Sequence, residues 1–193
     1  ASLLLDDKVP VILGGEHSIT PLAVKAFSEH FKDLSVLQLD AHADLRDSYL
    51  GRKDNHACVM RRVLEICPVV QAGIRNISTE GWEFAQKSGQ IKKIHWAEHL
   101  EAVEQITSQL SENVYITFDV DAFDPAIMPS TGTPEPGGLL WYEALDILKA
   151  VCRQKNVVGF DVVELAPQKG LSAPDFLCAK LIYKVMGYIT AKS

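Results

Sequence analysis

Six short apolar runs, rich in β-branched residues, recur along this chain at 9–13, 34–39, 69–73, 91–95, 114–118 and 157–162. The segments between them, 20–31, 56–66, 79–88, 100–110 and 141–153, carry apolar residues at helical spacing, and 175–189 closes the chain in the same way. A strand that reads as a continuous apolar run is buried on both faces, and strands separated by helices pair in parallel through crossovers. The pattern predicts an α/β fold, a three-layer α/β/α sandwich around a mostly parallel sheet. The 193 residues suffice to bury such a core, and no repeat, low-complexity stretch or linker divides them. One domain, 1–193, is expected.

Ligands of such sheets lie beyond the carboxyl ends of the strands, and chemistry-bearing residues collect there. Asp40, His42 and Asp44 alternate in "QLDAHADLRD", Asp119 and Asp121 in "ITFDVDAFDP", and His17 follows the glycines of "VILGGEHSIT". Alternate residues of an extended segment project to one side, so Asp40, His42 and Asp44 are expected to converge by alternation. A lone aspartate after a strand is usually a cap or a turn former; six such residues at three strand ends are a ligand set. Oxygen and nitrogen donors without thiolate suit one or two divalent cations of the Mn²⁺ or Zn²⁺ type, and do not suit a purely structural zinc site. Paired cations need shared carboxylates, for which Asp40 and Asp119 are the candidates, with His17 completing one ion and His42 the other.

Around this centre, His56 in the polar turn "KDNHACVM" is a candidate proton donor. Glu164, at the end of "VVGFDVVE", is placed to pair with a planar guanidinium. Asp161 is either an outer acceptor that fixes a ligand or a buried, hydrogen-bonded carboxylate. The segment 124–138, with four prolines and three glycines, leaves directly from Asp121 and is expected to wall the pocket, stiffened by Trp141. His30, His95 and His99 are expected at the surface or at helix ends, and Trp82 and Trp96 in helix packing.

Bulk properties narrow the partners. A net charge of −6 argues against general nucleic-acid binding and leaves a cationic substrate open. No apolar run approaches the roughly 20 residues of a membrane span, and "ASLLLDDKVP" lacks the features of a secretory signal. Cys58, Cys67, Cys152 and Cys178 form no CxxC pair, which indicates reduced thiols in a cytoplasmic protein.

Read in order, "GGEHS", "DAHAD", "DVDAFDP" and "VELAP" resemble the four motifs of the ureohydrolase family, the arginases, agmatinases and their relatives, over essentially the whole chain. The resemblance implies an arginase/deacetylase-like sandwich. It also implies two manganese ions on His17, Asp40, His42, Asp44, Asp119 and Asp121, and hydrolysis of a guanidinium group to urea and an amine. In this family Asp44 also orients the attacking water, His56 handles the proton of the leaving amine, and Glu164 binds the guanidinium. "TGTPEPGG" and "DAHADLRD" look like agmatinase sequences, which implies agmatine cleaved to putrescine and urea, a step of polyamine biosynthesis. Arginases usually carry an asparagine at the position of Arg46, which points away from arginine.

Ala57 and Cys58 stand where the family usually has glycine and a small hydroxyl residue. Family members carry two further strands before the GGDHS strand, so the chain is expected to be N-terminally incomplete and to lack the usual N-terminal edge strands. A homo-oligomer, trimer or hexamer, is implied, with neither nucleic acid nor membrane as partner. The competing readings are a hydrolase of another guanidino or formimidoyl compound (arginine, guanidinobutyrate, formimidoylglutamate), a catalytically silent metal-binding relative, and an amide deacetylase. Glu164 disfavours the last, since acetamide chemistry needs no guanidinium partner.

Overall fold

In the computed structural model, which describes residues 8–191, the apolar runs form one six-stranded sheet in which every neighbouring pair is parallel. The strands are β1 (Val11–Leu13), β2 (Leu34–Leu39), β3 (Val69–Ile74), β4 (Ile94–Trp96), β5 (Asn113–Asp119) and β6 (Asn156–Val163), in the order β1-β6-β5-β2-β3-β4. The helices are α1 (Thr20–His30), α2 (Val59–Val63), α3 (Thr79–Ser88), α4 (Val103–Ser108), α5 (Trp141–Gln154) and α6 (Ala173–Thr190).

Strand alternation sorts the core into two layers. Leu34 and Val36 of β2 pack with Val24, Phe27, Met60 and Ala85 beneath α1–α3. Leu37 and Leu39 pack with Ile106, Leu148 and Leu181 beneath α4–α6. Every residue of β2 and β3 is buried, as central strands covered on both faces require. The expected three-layer sandwich is present.

Local chemistry sets the helix ends. Pro21 and Pro174 occupy the first turns of α1 and α6, where a missing N–H leaves nothing unbonded. Ser78 caps α3 by accepting from the Gly81 amide, and Gly89 ends it in the left-handed region at φ +81°.

Several boundaries differ from the sequence reading. β1 begins only at Val11: Pro10 has no N–H for the ladder, and its carbonyl accepts from Phe160. β4 begins at Ile94, because the chain after Gly89 first makes a 3₁₀ turn, Gln90–Lys93. The segment read as helix over 56–66 is a 3₁₀ turn, His56–Cys58, followed by the short α2. Its cause is local: Asn55 caps the Ala57 amide, and the Arg61 amide donates to the carbonyl of Asp44 in another loop. α4 covers only Val103–Ser108 of the segment 100–110.

His95 is also corrected. It is buried in β4, as is Ile94 on the opposite face, with Nδ1 2.8 Å from Glu101. Cys58, Cys67 and Cys178 are free thiols. β1 stands at a sheet edge, with Leu13 69% exposed. Among the described residues, no helix is long and apolar enough to cross a membrane.

Candidate metal centre

Three strand ends deliver the six donors to one place. His17 opens a 3₁₀ turn (His17–Ile19) after β1, Asp40, His42 and Asp44 lie in the loop leaving β2, Asp119 ends β5, and Asp121 sits in the turn that follows. The first glycine of "GGEHS" permits the close approach this needs. A Cβ on Gly14 would stand 2.4 Å from Ile19 Cδ1 and 2.8 Å from Val163 Cγ1, whereas one on Gly15 would meet nothing.

The donors converge, but strand alternation is not the reason for Asp40, His42 and Asp44. β2 stops at Leu39 and the chain folds back on itself. Asp40 Oδ1 accepts from the His42 amide at 2.6 Å, and Asp121 Oδ1 accepts from the Ala41 amide at 3.0 Å. Asp44 adopts φ +53°, a left-handed conformation that aspartate tolerates better than most residues. Its loop is tied to the following helical segment by Arg61 N–H to Asp44 O (3.1 Å) and Arg46 N–H to Ala57 O (3.2 Å).

Two clusters result, and Asp40 belongs to both: His17, Asp40 and Asp119 form one, and Asp40, His42 and Asp121 the other. His17 Nδ1 lies 3.3 Å from Asp40 Oδ2, 3.3 Å from Asp44 Oδ2 and 3.4 Å from Asp119 Oδ2. His42 Nδ1 lies 3.0 Å from Asp121 Oδ2 and 3.6 Å from Asp40 Oδ1. One carboxylate thus presents one oxygen to each imidazole. Asp119, the other bridging candidate, groups only with the His17 side.

The tautomer of His17 follows from its other neighbour. Nε2 is 2.9 Å from Thr117 Oγ1, whose hydroxyl donates to Asp161 Oδ1 at 2.6 Å. With that proton committed, Thr117 accepts from Nε2–H, and Nδ1 is the ring nitrogen that faces the three carboxylates. Nδ1 is buried without a hydrogen-bond partner. A buried imidazole nitrogen ringed by carboxylate oxygens, whose proton a metal would displace, fits a divalent cation. Asp161, which also accepts from Thr20 and the Tyr115 hydroxyl, is the outer acceptor at the end of this chain.

Electrostatics agree. Burial and the charge of Asp40 push Asp44 up to about 7. Burial and neighbouring carboxylates raise Asp119 and Asp121 as well. For Asp40, burial acts upward, but His17 and His42 outweigh it and hold the carboxyl low. Against the opposing effect of burial, Asp121 and Asp40 raise His42 to about 11. The carboxylates around His17 likewise overcome its burial and raise it well above the usual imidazole range. Protons on the imidazoles and on the raised carboxyls of Asp44, Asp119 and Asp121 offset the buried charge, and bound cations would displace them.

Above the clusters opens a cleft of about 360 Å³, lined by Glu16, Asp44, Tyr49, His56, Thr133 and Glu164 among others. His56 is held by Glu16, whose Oε1 receives its amide at 2.9 Å and its ring Nδ1 at 2.8 Å. Glu164 stands just beyond β6 at φ +65°, and its Oε1 accepts the His17 amide at 2.6 Å. Burial raises its pKa. The segment 124–138 does wall the cleft: Thr133 donates to Asp121 Oδ2 at 3.2 Å, and Trp141 stacks on Phe123 with centroids 6.1 Å apart.

Sequence reasoning missed the supports. Arg75 donates to the carbonyls of Asp121 (2.7 Å), Glu135 (2.8 Å) and Pro136 (3.1 Å), which pins the wall to the ligand turn. Nothing in its local sequence announces this. Thr117 and Gln38 were findable: each is a polar residue in an apolar strand, two before a ligand aspartate and therefore on its face.

The comparisons with known proteins agree with this geometry. The profile of the Arginase family matches residues 1–187. The N(1)-aminopropylagmatine ureohydrolase of Synechocystis sp. is 42% identical over 97% of this chain and 63% of its own length. The agmatinase of Pyrococcus horikoshii is 40% identical over 93% of this chain and 62% of its own. The structure of the agmatine ureohydrolase of Thermoplasma volcanium superposes with a TM-score of 0.80 at 35% identity, covering 98% of this chain and 65% of that one. The chain thus spans a little over three fifths of the curated relatives it matches. Four motifs in order, the parallel sheet that brings them together and these likenesses place the chain in the arginase family.

Proposed function

We propose that this chain forms, as one domain over 1–193, the catalytic centre of a two-metal ureohydrolase that cleaves the guanidinium group of agmatine or a close derivative to urea and an amine. The observation that carries the proposal is the pair of His–Asp clusters sharing Asp40. His17, Asp40, Asp44 and Asp119 would hold one ion, and Asp40, His42 and Asp121 the other. Two Mn²⁺ ions suit these oxygen and imidazole donors, and when bound they would lower the pKa of a shared water and steady developing negative charge.

The remaining steps belong to side chains. Asp44, against the cleft, accepts a hydrogen bond from the attacking water and so aims it. Glu164 receives the guanidinium N–H groups. His56, its Nδ1–H held by Glu16, takes up on Nε2 the proton that the water releases on bonding to the guanidinium carbon and delivers it to the departing nitrogen as the C–N bond breaks. Urea and a primary amine leave.

Acid lines the cleft at Glu16, Asp44, Asp119 and Glu164, so a cationic substrate without a carboxylate is favoured over arginine. Arg46, the one arginine among the described residues that line the cleft, has its guanidinium 5.3 Å from the Tyr49 ring centre. The likeness to N(1)-aminopropylagmatine ureohydrolases supports the longer polyamine-bearing substrate as a second reading. The same proposal includes a cytoplasmic trimer or hexamer in polyamine synthesis, acting on a small molecule.

Urea release measured in parallel on agmatine, N(1)-aminopropylagmatine, arginine, guanidinobutyrate and formimidoylglutamate tests the substrate. Turnover of either of the first two, lost in His56→Ala at unchanged manganese content, is the expected result. Turnover of arginine alone would reject the assignment.

A further inference from the structure

Buried polar side chains also run the other way, from the metal centre to the far edge of the sheet. Gln38 on β2, Gln71 on β3 and Gln90, in the turn before β4, are all buried. Gln38 and Gln71 are register partners, so parallel pairing sets them side by side on one face. Gln90 Nε2 donates to the Val69 carbonyl (3.1 Å) and to Gln71 Oε1 (3.1 Å). Gln71 Nε2 donates to the Ala43 carbonyl (2.8 Å) and to Gln38 Oε1 (2.6 Å). Gln38 Nε2 donates to the His42 carbonyl (3.2 Å) and to Asp40 Oδ2 (2.6 Å).

The direction of this chain is fixed. Backbone carbonyls and an ionised carboxylate only accept, so each amide must present its nitrogen toward the metal loop and its oxygen toward the neighbour behind. Every amide nitrogen thereby places both of its protons. An amide buried without partners is costly, so a run of glutamines in an apolar layer persists only when fully bonded. Hydrogen bonds in such a chain polarise one another. It ends on the carboxylate that both clusters share, and it grips the carbonyls of His42 and Ala43, which shape the ligand loop.

We propose that Gln71 and Gln90, neither of which touches a carboxylate, are positioning residues for the metal centre. They act through Gln38 to fix the rotation of the Asp40 carboxylate, and Gln71 also holds the Ala43 carbonyl of the loop that follows it. The inference rests on the two-metal reading. Outer partners of metal ligands typically alter affinity by about 10–100-fold.

The test strips the purified protein with a chelator and titrates it with Mn²⁺, following bound metal and the electron paramagnetic resonance signal of the manganese pair. Wild-type protein that binds no manganese pair would remove the two-metal reading itself, whatever the variants do. With wild-type binding in place, Gln71→Leu should weaken manganese binding about tenfold. The double variant Gln38→Leu/Gln71→Leu should lose less than the two single losses combined, because without Gln38 the outer amides no longer reach Asp40 and only the Gln71 contact to the Ala43 carbonyl is left to remove. Additive losses, or a Gln71→Leu protein with a lower melting temperature but manganese affinity within about twofold of wild type, would overturn the proposal. Should Gln71→Leu not fold, Gln90→Met at the outer end decides: a weakening of about threefold supports the proposal, and unchanged affinity overturns it.

Discussion

The two halves of the donor set are held in different ways. His17 and the oxygens around it are almost wholly buried, and the ring is oriented from behind by Thr117 and Asp161. His42 keeps 23% of its side chain exposed, and Glu135 of the cleft wall lies 3.8 Å from its outer nitrogen. One half is set by the sheet itself: Thr117 and Asp161 are register partners on adjacent strands β5 and β6. The other half is set by loops that fold over the strand ends and are clamped by Arg75. A centre built this way has a rigid side and an adjustable side, and Asp40 joins them.

Removing the joint should have the largest effect. Asp40→Asn is expected to lower manganese affinity in both halves by more than the ~100-fold an outer partner can cost, and to abolish urea release. Metal analysis after dialysis checks it; a variant that retains a full pair of ions would break the assignment of Asp40 as the shared ligand.

The halves should then separate. His17→Asn and His42→Asn are each expected to leave one ion per chain, held more tightly in the His42 variant because the His17 side is dry and supported. Calorimetric Mn²⁺ titration of both variants measures this. Equal residual affinities would remove the distinction drawn between the halves.

A smaller effect should follow from Thr117→Val, which keeps the shape of the side chain and deletes the hydroxyl that fixes the His17 tautomer. A loss of roughly 10–100-fold is expected at one of the two ions only. Two binding steps weakened together would show that the support is not confined to the buried half.

The mildest consequence concerns acid. Asp44 has its folded pKa pushed up to about 7, above its ordinary value of 3.8, so the metal-free fold binds a proton that the unfolded chain releases. Its contribution is present at low pH and is lost as pH rises through about 7. The raised His42 remains protonated in the fold throughout that range; its own contribution is complete below its ordinary 6.5 and fades above it toward about 11, equally in wild type and variant. Metal-free wild type should therefore lose melting temperature relative to Asp44→Asn between pH 5 and 7, by a few degrees. Thermal unfolding in chelator reads the difference, and a gap that stays constant with pH would exclude Asp44 as its source.

The motif residues were legible because their chemistry is rare. Aspartates and histidines clustered after apolar runs have few structural uses in such number, and the parallel-sheet rule says where strand ends point. The geometry that joins them was read less well. Alternation was expected to align Asp40, His42 and Asp44, yet hydrogen bonds from Asp40 and Asp121 to the Ala41–His42 backbone bend the chain first. Arg75 and the outer glutamines were invisible because each works through partners far away in sequence, such as Arg75 to Glu135.

From the order of its residues alone, this chain determines which segments become strands, which six side chains stand as candidate metal donors and which family's motifs it carries. Each of these depends on local pattern, on period, turn chemistry and donor type. Which carboxylate is shared, which imidazole nitrogen faces the carboxylates and which amides reach Asp40 were decided only by the sheet order and register. Those choices depend on distances between residues that meet only after strands far apart in the chain have paired.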